Sequence, residues 1–248
     1  MLHNSYKIVQ MFDNLSSNEK INQWIKESYA ECKASYPLPT RGRIAFDIGA
    51  NVGGFCIHAH KTFDKIYAFE PLIENYNILC KVIESLGIKN VEVFNTAVYS
   101  ESNKILPLRV YDEDHTKDVT CADFNSEKTK AIGQQCETIS LKDAIESLGI
   151  DKIDYLKLDC EGSEYEILEN FYDYDKISLI CMEIHGFYGD ERKNNLIKML
   201  QRFYHVTDLN RLESGEWALK DVIESSKESN INGFKETYNI LMINKEKE

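Results

Sequence analysis

The stretch Phe46-Asp47-Ile48-Gly49-Ala50-Asn51-Val52-Gly53-Gly54-Phe55 decides the fold. An apolar run, Ile44-Ala45-Phe46, ends in an aspartate; glycines then recur within a few residues, and a new apolar segment begins at Phe55. This pattern predicts strand, tight turn, helix, with the glycines letting backbone N–H groups approach a ligand where a Cβ would block them. The next apolar run, Ile66-Tyr67-Ala68-Phe69, ends at Glu70, 23 residues after Asp47. An acidic residue about 20 residues on from such a turn can hold ribose hydroxyls. The pair points to a ligand with an adenosine-like ribose.

Outward from this unit the pattern alternates. A strand at 43–48 leads to a helix at 55–62, a strand at 65–69, a helix at 72–86 stopped by Gly87, and a strand at 91–97. Residues 103–110 are expected to add a hairpin strand, and 111–135, polar with few apolar anchors, to form a long loop that can act as a substrate lid. Ser140 is placed as the cap of a helix at 141–148; a strand at 153–158, a helix from Ser163, a strand at 177–184, a helix at 191–203 and a final strand at 237–243 follow. Alternating strands and helices imply an α/β fold, with a mostly parallel sheet covered by helices on both faces. Ahead of it, residues 1–40 are read as an N-terminal helical extension, with Ser16 to Glu19 as a capping box and Pro37 and Pro39 ending the helix. That helix is expected to pack on the main domain, 41–248.

The glycine turn lacks the G-x-G-x-x-G spacing, since only Gly49, Gly53 and Gly54 are available. A pyrophosphate grip wants denser glycines at a helix N-terminus. Asp47 before the turn would repel a phosphate and suits a cation. S-adenosylmethionine, with a sulfonium, an ammonium and no phosphate, fits better than NAD; an NAD-dependent oxidoreductase stays as an alternative.

D-I-G-A-N-x-G-x-F at Asp47–Phe55, followed by Phe69-Glu70-Pro71, resembles the cofactor region of the FkbM-type S-adenosylmethionine-dependent methyltransferases. A second block, Ile153-Asp154-Tyr155-Leu156-Lys157-Leu158-Asp159-Cys160-Glu161-Gly162-Ser163-Glu164, is similar to that family's L-K-x-D-x-E-G-x-E. The resemblance spans about 44–185. It implies a Rossmann-like class I methyltransferase fold, with a seven-stranded sheet and an antiparallel last strand. It would let the N-terminal helix cover the cofactor. It also implies O-methylation of a hydroxyl on a sugar or a natural-product skeleton. A sugar of a surface or capsular glycan, or its nucleotide-sugar precursor, is the preferred acceptor; a lipid hydroxyl and a non-catalytic binding module are further alternatives.

Cofactor contacts are expected from Asp47, Gly49, Asn51, Gly53, Phe55, Glu70, Pro71 and Asp159, and, by analogy for the adenine, from Asn95, Thr96 and Ala97. Asp159 and Glu161 end the fourth main strand, and Glu183 and His185 the fifth. If these strands are neighbours, their tips lie about 5 Å apart, and His185 or a carboxylate can take the acceptor's proton. Alternatively Asp159, Glu183 and His185 hold magnesium or manganese. Glu164 is read as a helix-start residue, His58 and His60 as packing residues, and His115 and Trp217 as weak substrate candidates.

Composition narrows the classes. At 248 residues with 43% apolar content, one large domain is expected. A net charge of −12 argues against a broad nucleic-acid or anionic-membrane surface. No run is long enough to span a membrane and no signal peptide is evident, so a cytoplasmic location is expected. The seven scattered cysteines, never in C-x-x-C, read as buried apolar residues rather than staples or zinc ligands.

Overall fold

A computed structural model describes residues 15–110, 119–121, 129–186, 189–209 and 237–247. The described residues open with helix α1 (Glu19–Ser35), capped by Asn18, whose Oδ1 accepts the Lys20 N–H at 3.0 Å. The expected capping box at Ser16 is not formed: Ser16 Oγ instead accepts the Asn18 N–H, one step earlier. The helix stops ahead of Pro37 and Pro39.

Strand β1 (Gly42–Ile48), helix α2 (Gly54–Ala59), strand β2 (Phe63–Phe69), helix α3 (Ile73–Ser85) and strand β3 (Val91–Phe94) follow as the alternation predicts. Gly87, at φ +65°, ends the α3 turn. Later come α4 (Leu141–Ser147), capped by Ser140, then β8 (Tyr155–Leu158), α5 (Glu164–Glu169), β9 (Leu179–His185), α6 (Gly189–Leu200), β10 (Tyr204–Asp208) and β11 (Thr237–Asn244). The seven strands of this sheet order β10-β11-β9-β8-β1-β2-β3. β3, β2, β1, β8 and β9 are mutually parallel, while β11 runs antiparallel to both β9 and β10. This is the Rossmann-like class I methyltransferase arrangement, with the last strand reversed.

Residue alternation along the strands sorts the core into two layers. Phe46, Ile48, Leu156, Leu158, Ile180 and Met182 pack under α4, α5 and α6. Ala45, Ala68, Tyr155 and Cys181 face the other way, against Phe55 and Cys56 of α2, Leu79 of α3 and Cys32 of α1. Ile25 of α1 is also clustered with Val52, Ile57 and Val82. All seven cysteines are free thiols, and Cys32, Cys56, Cys121, Cys136 and Cys181 are buried. No helix among the described residues is long and apolar enough to cross a membrane.

One expectation fails. A second sheet, ordered β4-β7-β5-β6, comprises β4 (Ala97–Tyr99), β5 (Ile105–Val110), β6 (Val119–Thr120) and β7 (Lys130–Ser140). The third main strand therefore ends at Phe94, and Ala97 starts a strand of the small sheet. The expected loop at 111–135 is strand at 119–120 and from Lys130 onward; residues 111–118 and 122–128, His115 among them, lie outside the described residues, as does Trp217. β7 escapes sequence reading because its first half is polar and mostly exposed; only Cys136 and Thr138 are buried, against β4 and β5.

Candidate active site

A cavity of about 510 Å³ lies at the carboxyl ends of β1, β2, β8 and β9, where open α/β sheets place ligands. Its walls come from the turn after β1, the tips of β8 and β9, the small sheet through Ala97, Val98, Val119 and Cys121, and helix α1 through Trp24, Glu27, Ser28 and Glu31. The N-terminal helix is thus more than packing, because one of its faces closes the cavity.

The glycine turn is built by close backbone approach. Gly49 sits at φ +77°, and a Cβ there would collide with the carbonyl oxygen of Asp159. Gly49 and Ala50 N–H both reach Phe69 O, at 3.1 and 3.0 Å, and Asp159 N–H reaches Ile48 O at 3.2 Å. The tips of β1, β2 and β8 are therefore locked together. Asn51 follows at φ +50° and lines the cavity. Glu70, almost wholly buried, accepts Asn51 N–H on Oε2 at 2.8 Å and Leu72 N–H on Oε1 at 2.9 Å, and it too lines the cavity. Burial pushes its carboxyl up to about 7, against those two N–H groups, which pull it down.

Several residues expected at the cofactor do not line the cavity. Asp47 is fully buried and does not line the cavity. It stands across from Lys157 in the β1–β8 register, with Oδ1 at 3.2 Å from Nζ and Oδ2 accepting from Cys56 Sγ at 3.2 Å. The alternation that buries Ala45 buries Asp47 as well, where its charge pairs with Lys157. Lys157 also donates to Gly49 O at 2.7 Å and lies 3.7 Å from Asp159 Oδ2. Burial would lower the Lys157 ammonium, but Asp47 and Asp159 override it and raise it. Gly53 packs toward Leu79, and Phe55 stacks on Tyr155, in the core. Asn95 Nδ2 donates to Glu70 O and Pro71 O, and Thr96 Oγ1 to Glu137 O; neither side chain reaches the cavity, whereas Pro71 and Ala97 do.

The strand tips do converge, as β8 and β9 are parallel neighbours. Asp159, Glu161, Glu183 and His185 all line the cavity. Glu161 adopts φ +53°, unusual for a non-glycine residue, and this turn brings its Oε2 to 3.3 Å from His185 Nε2. His185 Nδ1 lies 3.1 Å from Oε1 of Glu164, which is fully buried and also accepts the Cys160 N–H at 2.9 Å. Glu164 is thus a helix-start residue that also belongs to the cluster. Burial pulls the imidazole down, yet Glu164, Glu161 and Asp159 outweigh it and raise it to about 10. A carboxylate thus stands against each ring nitrogen of His185. Glu183 is pushed up to about 7 by burial and by Asp159.

Sequence reasoning missed Tyr36. Its hydroxyl donates to Asp159 Oδ2 at 2.9 Å, and its ring lies 5.6 Å from Lys157 Nζ. Nothing local in Ser35-Tyr36-Pro37 announces a bond to a residue 123 positions away. For Lys157 a signal existed, since a lysine inside an apolar strand needs a buried partner. His58 and His60 bond to backbone carbonyls, Tyr36 O at 3.2 Å and Ile57 O at 2.7 Å, in packing roles.

Known proteins were compared with this chain. The sequence model of the Methyltransferase FkbM domain matches residues 47–213. The chain is similar to 31-O-demethyl-FK506 methyltransferase FkbM of Streptomyces tacrolimicus, 26% identical over 176 residues, covering 60% of this chain and 67% of that protein. Among solved structures it is similar to Methyltransferase FkbM from Methylobacillus flagellatus KT, at 12% identity and a TM-score of 0.45, covering 96% of this chain and 59% of that one. It is also similar to M. capricolum TrmK in complex with S-adenosyl-homocysteine, at 16% identity and a TM-score of 0.41, covering 90% and 67%.

Proposed function

This chain belongs to the FkbM methyltransferase domain family, and from that premise we propose that it is an S-adenosylmethionine-dependent O-methyltransferase acting on a neutral polyhydroxyl acceptor, a sugar by preference. Membership sets the nicotinamide alternative aside. One observation carries the cofactor reading: the Gly49 turn and Glu70 face the same cavity as the β8 and β9 tips. Gly49 leaves open the space a Cβ would fill, and Glu70 presents a buried carboxylate where ribose hydroxyls would lie. S-adenosylmethionine supplies an activated methyl: the acceptor oxygen bonds to the methyl carbon, the S–C bond breaks with its electron pair left on sulfur, and the hydroxyl proton leaves.

The protein's part is to position the acceptor and receive that proton. Carboxylates of Asp159, Glu161 and Glu183 stand at the cavity wall for this, beside His185, which contacts Glu161 and Glu164. The name of the Streptomyces tacrolimicus relative denotes methylation of an O-demethyl compound, which supports oxygen as the acceptor atom. Glu27 and Glu31 add acidic groups on the α1 side. Such walls repel phosphate, so a neutral sugar suits the cavity better than a nucleotide-linked one. Transfer of labelled methyl from S-adenosylmethionine to neutral sugars, with sugar phosphates alongside, tests this reading. Labelled neutral product supports it; labelling of the phosphorylated sugars alone overturns the acceptor class, and cofactor binding without transfer to any hydroxyl acceptor favours a binding module.

A further inference from the structure

We propose that Asp159, Glu161 and His185 form a divalent-cation site on the acceptor side of this cavity, suited to magnesium or manganese. The proposal deepens the methyl-transfer reading, on which its catalytic meaning rests.

Geometry comes first. One ligand atom from each of the three residues lies within 4.8 Å of the others. An octahedral ion with bonds of about 2.1 Å spaces its ligands by roughly 3 to 4.2 Å, so the three can close on one ion with small side-chain movements. They come from two adjacent strand tips, on a rigid sheet.

The chemistry of His185 is the second, separate pointer. Its Nδ1 is turned toward Glu164 Oε1, and Glu164 is anchored by the Cys160 N–H. A buried carboxylate behind one imidazole nitrogen orients the other nitrogen toward a metal. Here that other nitrogen, Nε2, faces Glu161 Oε2 at 3.3 Å and Glu183 Oε1 at 4.0 Å. With the proton on Nδ1, Nε2 would point a lone pair at carboxylate lone pairs. A divalent ion placed between Nε2 and these oxygens would take a lone pair from each.

Charge balance agrees. Asp159, Glu161, Glu164 and Glu183 surround one imidazole, and the second oxygen of fully buried Glu164 has no hydrogen-bond partner among the described residues. Lys157 divides its charge between Asp47, at 3.2 Å, and Asp159, at 3.7 Å. Two carboxylates and one imidazole form a donor set for a hard to borderline ion. An ion at this place would align two neighbouring hydroxyls of a sugar with the methyl donor and make one of them more acidic.

The test titrates the full chain with manganese alone, following free Mn²⁺ by electron paramagnetic resonance, for the wild type, Glu161→Gln and Asp159→Asn. Binding of S-adenosylhomocysteine to the wild type and to Glu161→Gln is measured in parallel. One saturable ion per chain is expected, weakened about tenfold or more in both variants, with cofactor-product affinity retained in Glu161→Gln. If one variant fails to fold, as read by its thermal melt, the other carries the comparison. No saturable wild-type binding, or equal affinity in a folded variant, overturns the site. Manganese binding as expected without S-adenosylhomocysteine binding would leave the ion site standing and remove the methyl-transfer reading beneath it.

Discussion

The two sides of the cavity are built by different means. On the β1–β2 side, Gly49, Asn51 and Glu70 are fixed by the backbone, through left-handed turns and N–H bonds to Phe69 O and Glu70. On the β8–β9 side, Asp159 and His185 are held by other side chains: Tyr36, Lys157 and Glu164. Lys157 joins the two, bonding Gly49 O and pairing with both Asp47 and Asp159. A backbone-built site leaves its mark in short motifs, because only certain residues tolerate the turns. A side-chain-built site scatters its marks over the chain.

The largest effect should come from the joint between the sides. Lys157→Met leaves Asp47 buried without its ammonium, and should cost about 3–5 kcal/mol of stability in denaturant unfolding. Adding Asp47→Asn should recover part of that loss. A double variant no better than the single one would mean that Lys157 acts through packing rather than charge.

Gly49→Ala should come next, at about 2–4 kcal/mol, since the residue must hold a left-handed φ and its Cβ would meet the Asp159 carbonyl. A variant with wild-type melting would show that the two strand tips can part, and the contrast between a rigid and a side-chain-held wall would fail.

Glu70 sharpens the comparison through pH. Its folded-state value of about 7 lies above the ordinary 4.5, so between those two values the folded state binds the extra proton. The stabilisation from this group is full below 4.5 and lost as pH rises through 7. Wild type should thus lose stability relative to Glu70→Gln across that window. Affinity for S-adenosylhomocysteine should move the opposite way, rising through pH 7 as the carboxylate ionises for the ribose hydroxyls, and it should be flat in Glu70→Gln. Parallel pH curves for the two proteins would show that Glu70 titrates elsewhere.

Tyr36→Phe is the mildest change. It removes only the hydroxyl that orients Asp159, and should cost about 1 kcal/mol of stability, with a larger fall in turnover than in cofactor affinity. Equal losses in both would place Tyr36 on the cofactor side.

Legibility follows the same division. The strand–turn–helix at Phe46–Phe55 and the acidic end of β2 were readable because the glycine turn and the apolar runs are local. The convergence of Asp159, Glu161, Glu183 and His185 was readable only on the condition that their two strands are neighbours, which β8 and β9 are. The burial of Asp47 was legible in the period-2 pattern, which puts it on the buried face with Ala45. Asn95 and Thr96 were misplaced because the break after Phe94 separates two sheets, and no glycine or proline marks it. The start of β7 looked like loop because an edge of the small sheet needs few apolar residues. Tyr36 was invisible, since its contact with Asp159 exists only once α1 has docked.

Calorimetric titration of the wild type and Glu70→Gln with S-adenosylhomocysteine at pH 8, with NAD as the control, tests the central claim most directly. The account predicts saturable binding of S-adenosylhomocysteine and not of NAD, weakened by about tenfold or more in the variant. Binding of NAD in its place, or equal affinity in the two proteins, would contradict it.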